Sequence, residues 1–274
     1  MQLTALVAGG TGRVGVPVTC RLLARHHRAR VMTRGGHSAD IPAGAEQVRG
    51  DFDDPDSLVR AMRDVDVVIA TGTAHRAGPQ GEARHGANLV SAAARAGIAH
   101  LVYISGAGAD APTGIPVLES KRSVEAHIHD AGVPATILAP AYFMENAFNP
   151  WNLPALRDST FPLALPRSRA LAQVAIDDVA AFAVLAAEQR GRFLGRRIEL
   201  ASDQLTGPQA AERLSRVTGH RFEHVQGELP PPLRPLFAWL ASRGFGIDVQ
   251  RLHATYPEVP WQTFEQWASR QVWP

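Results

Sequence analysis

The chain has 274 residues, 45% of them apolar and 20% charged, with a formal net charge of +2, enough for one large soluble domain or a domain plus a lobe. Its charges are spread without runs, so no electrostatic feature points to a nucleic-acid face, and no apolar stretch is long enough to cross a bilayer. The lone cysteine, Cys20, excludes an internal disulfide. Together with a first strand that begins almost at Met1, leaving no room for a signal peptide, it points to a reducing cytoplasm. Within the first helix Cys20 reads as a packed small apolar residue.

The pattern opens with an apolar strand, Leu3 to Ala8, that runs into Gly9-Gly10-Thr11-Gly12-Arg13-Val14-Gly15. A buried strand that ends in closely spaced glycines and opens into a helix is suited to a pyrophosphate. Gly9 makes the tight turn, Gly12 lets backbone approach phosphate, and Gly15 lets helix pack on strand. The loop residues Thr11, Arg13 and Val14 lie where the free N–H groups of the helix start face the anion. After a helix carrying Val14, Val18, Leu22 and Leu23 on one face, Arg30 to Thr33 reads as a strand ending at Arg34. An acid about 20 positions past the glycines grips the ribose 2′-hydroxyl of NAD, whereas an arginine suits the 2′-phosphate of NADP. Arg34 occupies that place without an acidic neighbour, and Arg13 offers a second charge, so the expected cofactor is NADP(H).

Alternation continues through Val48, a helix capped by Asp54 with Pro55 in its first turn, and a strand from Val65 to Ala70 that ends in Thr71-Gly72-Thr73. A helix from about Glu82 to Arg95, a strand from Leu101 to Ser105, a helix from about Glu119 to Asp130 and a strand from Ala135 closed by Pro140 follow. Apolar strands alternating with helices predict a parallel sheet covered on both faces, with the ligand at the carboxyl ends near Gly12, Arg34, Asp51, Thr71, Ser105 and Ala141. From Phe143 to Pro166 the chain is rich in Pro, Trp and Phe without clear period, as in a substrate-side loop region. Asp177 or Asp178 starts an alanine-rich helix to about Gln189, and Arg197 to Leu200 reads as a strand. Thr206 caps a helix to about Val217, Arg221 to Val225 is extended, and helices near Leu233 to Ser242 and from about Trp261 complete the pattern.

Lys121 is the one lysine among 28 Lys and Arg residues. An amine changes protonation state in a site where a guanidinium does not. Two readings of it stay open: a proton-handling or ribose-orienting group, or an exposed residue pairing with Glu125 one turn later. Ser105 is placed to orient a carbonyl or simply to form a turn. His75 is a weaker pocket candidate. Trp151, Phe143 and Phe161 suit either an apolar substrate or a lobe core. The remaining histidines lack the companions a metal site needs.

With these pieces in place, the chain resembles the NmrA-like family, atypical members of the short-chain dehydrogenase/reductase superfamily. The resemblance rests on Val7-Ala8-Gly9-Gly10-Thr11-Gly12, on Gly50 to Asp54, on Ser120-Lys121-Arg122-Ser123-Val124-Glu125, on Thr136 to Asn146, and on Ile198-Glu199-Leu200 leading to Leu205-Thr206-Gly207. It implies a Rossmann-type doubly wound parallel sheet with a small discontinuous C-terminal α/β substrate lobe: residues 1–141 with 171–190 returning to them, then 142–170 and 191–274. It further implies that Asp51 and Phe52 meet the adenine, that Thr71 and Gly72 line ribose and pyrophosphate, and that Ala141, Tyr142 and Phe143 border the nicotinamide, where Tyr142 is a proton donor or a packing residue. The Tyr-x-x-x-Lys pair of orthodox members is broken, because Val117 stands four residues before Lys121. The expected function is an NADPH-dependent reductase of a small, largely apolar quinone, enone, imine or carbonyl, with Lys121, Ser105 or Tyr142 managing the proton. Two alternatives stand beside it: a non-catalytic NADP(H) sensor acting through a protein partner, and an isomerase or cyclase that uses the cofactor structurally.

Overall fold

A computed structural model describes residues 2–35 and 41–274; the side chains of Ala74 and His75 lie outside the described residues. The elements run β1 (Thr4–Ala8), α1 (Gly15–Ala24), β2 (Arg28–Thr33), β3 (Glu46–Arg49), α2 (Pro55–Ala61), β4 (Val67–Thr71), α3 (Ala74–Ala96), β5 (Leu101–Ile104), α4 (Pro116–Asp130) and β6 (Ala135–Pro140). They continue with β7 (Tyr142–Phe143), α5 (Leu153–Arg157), β8 (Thr160–Pro162), β9 (Leu171–Val174), α6 (Ile176–Glu188), α7 (Arg190–Phe193), β10 (Arg197–Leu200) and β11 (Asp203–Leu205). The last are α8 (Gly207–Thr218), β12 (Glu223–Val225), α9 (Arg234–Ser242), α10 (Val249–Thr255) and α11 (Phe264–Ala268). Two compact units result: 1–139 with 179–199, and 140–178 with 200–274.

The first unit is built on a seven-stranded parallel sheet in the order β10-β6-β5-β4-β1-β2-β3. Val7 of β1 is paired with Val31 of β2 on one side and Ile69 of β4 on the other. The inner strands β1, β4, β5 and β6 are rich in Val, Ile, Leu and Ala because both faces are covered. Leu6, Ala8, Val68 and Ala70 pack with Leu58, Leu89, Val124 and Ile128 from α2, α3 and α4, while the alternate residues Ala5, Val7, Val67 and Ile69 are buried as well. The connection order reverses between β1 and β4, so their carboxyl ends form the switch point where such sheets bind ligands. The returning segment is 179–199, where the sequence reading gives 171–190, because Leu171 to Val174 pair within the second unit.

The second unit has a three-stranded sheet, β11-β9-β7, and a β12-β8 pair. Phe161, Leu214, Phe264 and Trp267 share its core. Phe161 packs edge-on against Phe264 with ring centroids 5.7 Å apart. The stretch read as loop from Phe143 to Pro166 contains α5 and β8, elements of five and three residues that are too short to carry a period. Helix α10, absent from the sequence reading, is a seven-residue piece capped by Asp248. The final helix starts at Phe264 rather than near Trp261, behind a capping box of Thr263 and Gln266. Cys20 is exposed, which corrects the expectation of a packed residue: it sits on the outer side of α1, whose buried positions are Gly15, Val18, Thr19 and Leu22.

Candidate functional site

At the end of β1 the chain turns through Gly9, whose φ of +83° lies in the left-handed region that favours glycine. A Cβ on Gly9 would stand 2.2 Å from Thr71 Oγ1, and one on Gly15 would stand 2.2 Å from the Gly9 carbonyl oxygen. The Gly12 N–H donates to that same carbonyl at 3.0 Å. A Cβ on Gly12 would meet only the Gly9 oxygen, at 3.1 Å. Gly9 and Gly15 are therefore tied to the packing of the turn, and Gly12 presents an uncluttered backbone. Asp54 caps α2 and Thr206 caps α8, but α1 has no side-chain cap and no acid in its first turn. Among the described residues no side chain caps this helix start, which suits an anion. A cradle shaped by absent side chains, at the start of an uncapped helix and at a switch point, fits a dinucleotide pyrophosphate.

Arg34 follows β2 and is exposed, as is Arg13 in the glycine turn. Behind β3, the Asp51 carboxylate accepts the Asp53 N–H at 3.0 Å, and the helix cap is Asp54, whose side chain accepts the Ser57 N–H. The Phe52 ring stacks on His85 with centroids 5.4 Å apart, and the Phe52 carbonyl accepts a bond from Asn88. Thr71 reaches across from β4 to the Ala8 carbonyl at 3.4 Å, joining the ends of the two central strands.

The lone lysine departs from one of its readings, that of an exposed residue pairing with Glu125. Lys121 does not pair with Glu125. Its Nζ lies 3.1 Å from Glu82 Oε1, with the lysine side chain 14% and the glutamate side chain 2% exposed. Glu82 lies 39 residues upstream, in α3 just past a break at Gly78, whose φ is 69°. Its carboxylate also accepts the Tyr103 hydroxyl at 3.2 Å and the Thr73 N–H. Burial opposes ionisation of Glu82 most strongly, yet the Lys121 charge and the hydrogen bonds from Lys121 and Thr73 hold its carboxyl below the ordinary value. Burial, reinforced by the Glu82 charge, pushes the Tyr103 phenol well above its ordinary value. A Cβ on Gly72 would stand 2.5 Å from Glu82 Oε1 and 2.6 Å from Lys121 Nζ, so the bare backbone at position 72 is what admits the pair.

Ser105, 4% exposed, donates its hydroxyl to Glu125. The other oxygen of Glu125 takes Arg197 Nε at 2.9 Å, and Arg197 also donates to the Gly106 carbonyl at 3.1 Å. Two carboxylates, Glu82 buried and Glu125 partly so, thus organise the carboxyl ends of β4 and β5, one holding Lys121 and the other Ser105. Sequence reasoning placed Glu82 only as a helix start and Glu125 only as a possible lysine partner. Ala141, Tyr142 and Phe143 belong to the second unit. There Ala141 N–H donates to Leu200 O, Tyr142 stands edge-on to Phe237 at 5.7 Å, and Tyr142 and Phe143 form β7. Trp151 is 40% exposed, whereas Phe161 is a core residue of the same unit.

The model of the NmrA-like family matches residues 1–236. The chain belongs to the NmrA-like family. A (4-alkanoyl-5-oxo-2,5-dihydrofuran-3-yl)methyl phosphate reductase of Streptomyces griseus is 32% identical over 252 residues, covering 87% of this chain and 86% of that protein. An NAD(P)H azoreductase of Xenophilus azovorans is 25% identical over 223 residues, covering 80% and 76%. Among solved structures, an NADPH-dependent quinone oxidoreductase from Escherichia coli in complex with NADPH superposes with a TM-score of 0.80 at 23% identity, covering 97% of this chain and 99% of that one. The negative transcriptional regulator NmrA in complex with NADP superposes with a TM-score of 0.79 at 19% identity, covering 98% and 95%. At these identities the structural likenesses carry the fold alone, an α/β fold with a seven-stranded parallel central sheet flanked by helices. Among the described residues, no helix is long and apolar enough to cross a membrane.

Proposed function

We propose that this NmrA-like protein is an NADPH-dependent reductase that delivers hydride to an electron-poor carbon of a small, largely apolar quinone, enone, imine or carbonyl. An NADP-dependent oxidoreductase is supported by the reductases among its relatives. The observation that carries the reading is the uncapped start of α1 behind the Gly9-Gly12-Gly15 turn, with Arg34 rather than an acid at the end of β2. When bound, the nicotinamide supplies the hydride chemistry. The protein's own part is to bind and orient: the backbone of the turn from Gly12 into the start of α1 for the pyrophosphate, and Arg34 with Arg13 for the 2′-phosphate. In the same reading Asp51 and Phe52 take the adenine side, Thr71 and Gly72 the ribose side, and Ala141, Tyr142 and Phe143 border the nicotinamide.

Lys121 is read as a fixed cation beside Gly72, where it orients the ribose or handles a proton. Ser105 keeps lone pairs to accept a bond, but its own proton is engaged by Glu125. The sensor reading draws on Val117, which leaves no tyrosine one turn before Lys121. Calorimetric titration tests the cofactor assignment. NADPH is expected to bind at least tenfold more tightly than NADH, through charge-assisted bonds from arginine. Equal affinities would remove Arg34 from the site. Gly12→Val should abolish NADPH binding with the fold intact, and loss of NADPH absorbance on mixing with quinones and enones separates reductase from sensor.

A further inference from the structure

We infer that Glu82 is a positioning residue for the cofactor end of the reaction, acting through Lys121. This inference rests on the reading of the protein as NADP(H)-binding. Three observations bring it out. Glu82 is almost fully buried, yet it lies one turn into the helical stretch that begins after the Gly78 break. Both of its oxygens are used, Oε1 by Lys121 Nζ at 3.1 Å and Tyr103 Oη at 3.2 Å, and Oε2 by the Thr73 N–H. Both members of the ion pair sit directly beneath the Gly72 backbone, where any side chain would collide with them.

A buried carboxylate with a single cation is expensive to maintain unless its remaining lone pairs are satisfied. Here Tyr103 and Thr73 satisfy them. The consequence is geometric: Glu82 joins the loop after β4, through Thr73, to the helix α4 that carries Lys121. A lysine has four rotatable carbons and wanders when unpaired. This one is pinned at its nitrogen by Glu82, and its stem runs 3.2 Å from where a Gly106 Cβ would stand. Its ammonium also lies 5.9 Å from the Tyr103 ring centroid, an added restraint. The tyrosine lost at position 117 is thus not replaced by Tyr103, whose hydroxyl is a donor to the carboxylate. What replaces the orthodox pair is a carboxylate–lysine unit in which the carboxylate aims the amine.

The test is NADPH titration by calorimetry on the full chain in four variants: Glu82→Gln, Glu82→Asp, Lys121→Met and the Lys121→Met, Glu82→Gln double. Glu82→Gln keeps the shape and removes the charge, and should raise the NADPH Kd roughly tenfold, close to the loss in Lys121→Met. In the Lys121→Met background the same change should add nothing, because Glu82 then has no amine to aim. A purely structural role would add its loss in both backgrounds and overturn the inference, as would wild-type affinity in Glu82→Gln. If Glu82→Gln does not fold, Glu82→Asp carries the test: it retains the charge one methylene short of the lysine and should lose affinity equally. Wild-type affinity in Glu82→Asp would overturn the inference too. A wild-type protein that binds neither NADPH nor NADP+ would overturn the cofactor reading itself, and the role of Glu82 with it.

Discussion

Each unit buries a carboxylate, and the two are held in opposite ways. Glu82 in the first unit faces a lysine ammonium and is kept below its ordinary pKa. Asp178 in the second, fully buried, faces only neutral donors: Ser202 Oγ at 2.6 Å, the Gln262 N–H at 2.8 Å and Gln262 Nε2 at 3.0 Å. Burial wins there, and the Asp178 carboxyl is raised above its ordinary value. Desolvation disfavours the charged form at both places, and only a nearby cation reverses the outcome. The first arrangement maintains a charged pair at the switch point of the sheet. The second ties the chain around Gln262 to the start of α6, where the strands are only two to four residues long and supply few ladder bonds of their own.

The largest effect expected from breaking this contrast is that of Lys121→Ala. It strands Glu82 without a cation and should destabilise the protein by about 3–5 kcal/mol in urea unfolding. The pH dependence should invert with it. In the wild type the lowered Glu82 carboxyl contributes stability that is present above its unfolded pKa and lost as pH falls through the folded value. Without the lysine the carboxyl is raised, so the deficit should shrink as pH is lowered toward 5. A deficit independent of pH would mean that Glu82 does not carry the charge assigned to it.

Asp178→Ala should cost about 2 kcal/mol, the penalty of leaving Gln262 donors without an acceptor. Faster amide exchange should be confined to residues 200–274, read by mass spectrometry. The raised Asp178 carboxyl contributes stability that is full below its unfolded pKa and declines as pH rises through the folded value, opposite in sign to Glu82. The smallest effect is that of Ser202→Ala, about 1 kcal/mol. Removing one bond to the ionised form should move the Asp178 titration further upward in carboxyl-carbon NMR. An unmoved titration would sever Ser202 from that carboxylate in solution.

Much of the first unit was legible as sequence because its information is local. A glycine turn after an apolar strand and Asp54 ahead of Pro55 are each set within a few residues by backbone sterics and capping bonds. The second unit was less legible: strands of two to four residues and helices of five to seven are shorter than the periods that announce them. Phe161, open between substrate contact and core in the sequence, lies against Phe264 about a hundred positions downstream.

By itself the sequence determined the α/β class, the glycine turn after the first strand, an arginine rather than an acid at the end of the second, and the absence of a tyrosine four residues before Lys121. These follow from residue type and spacing alone. The tertiary structure decided which carboxylate meets which cation. Glu125, four residues from Lys121 on the same helix, is taken by Ser105 and by Arg197, 72 positions away, while Lys121 turns to Glu82, 39 positions upstream. A neighbour at helical spacing contributes only a few tenths of a kcal/mol in water. A buried carboxylate that would otherwise lack a cation exerts a far larger demand, and only the folded sheet brings β4, α3 and α4 close enough to meet it.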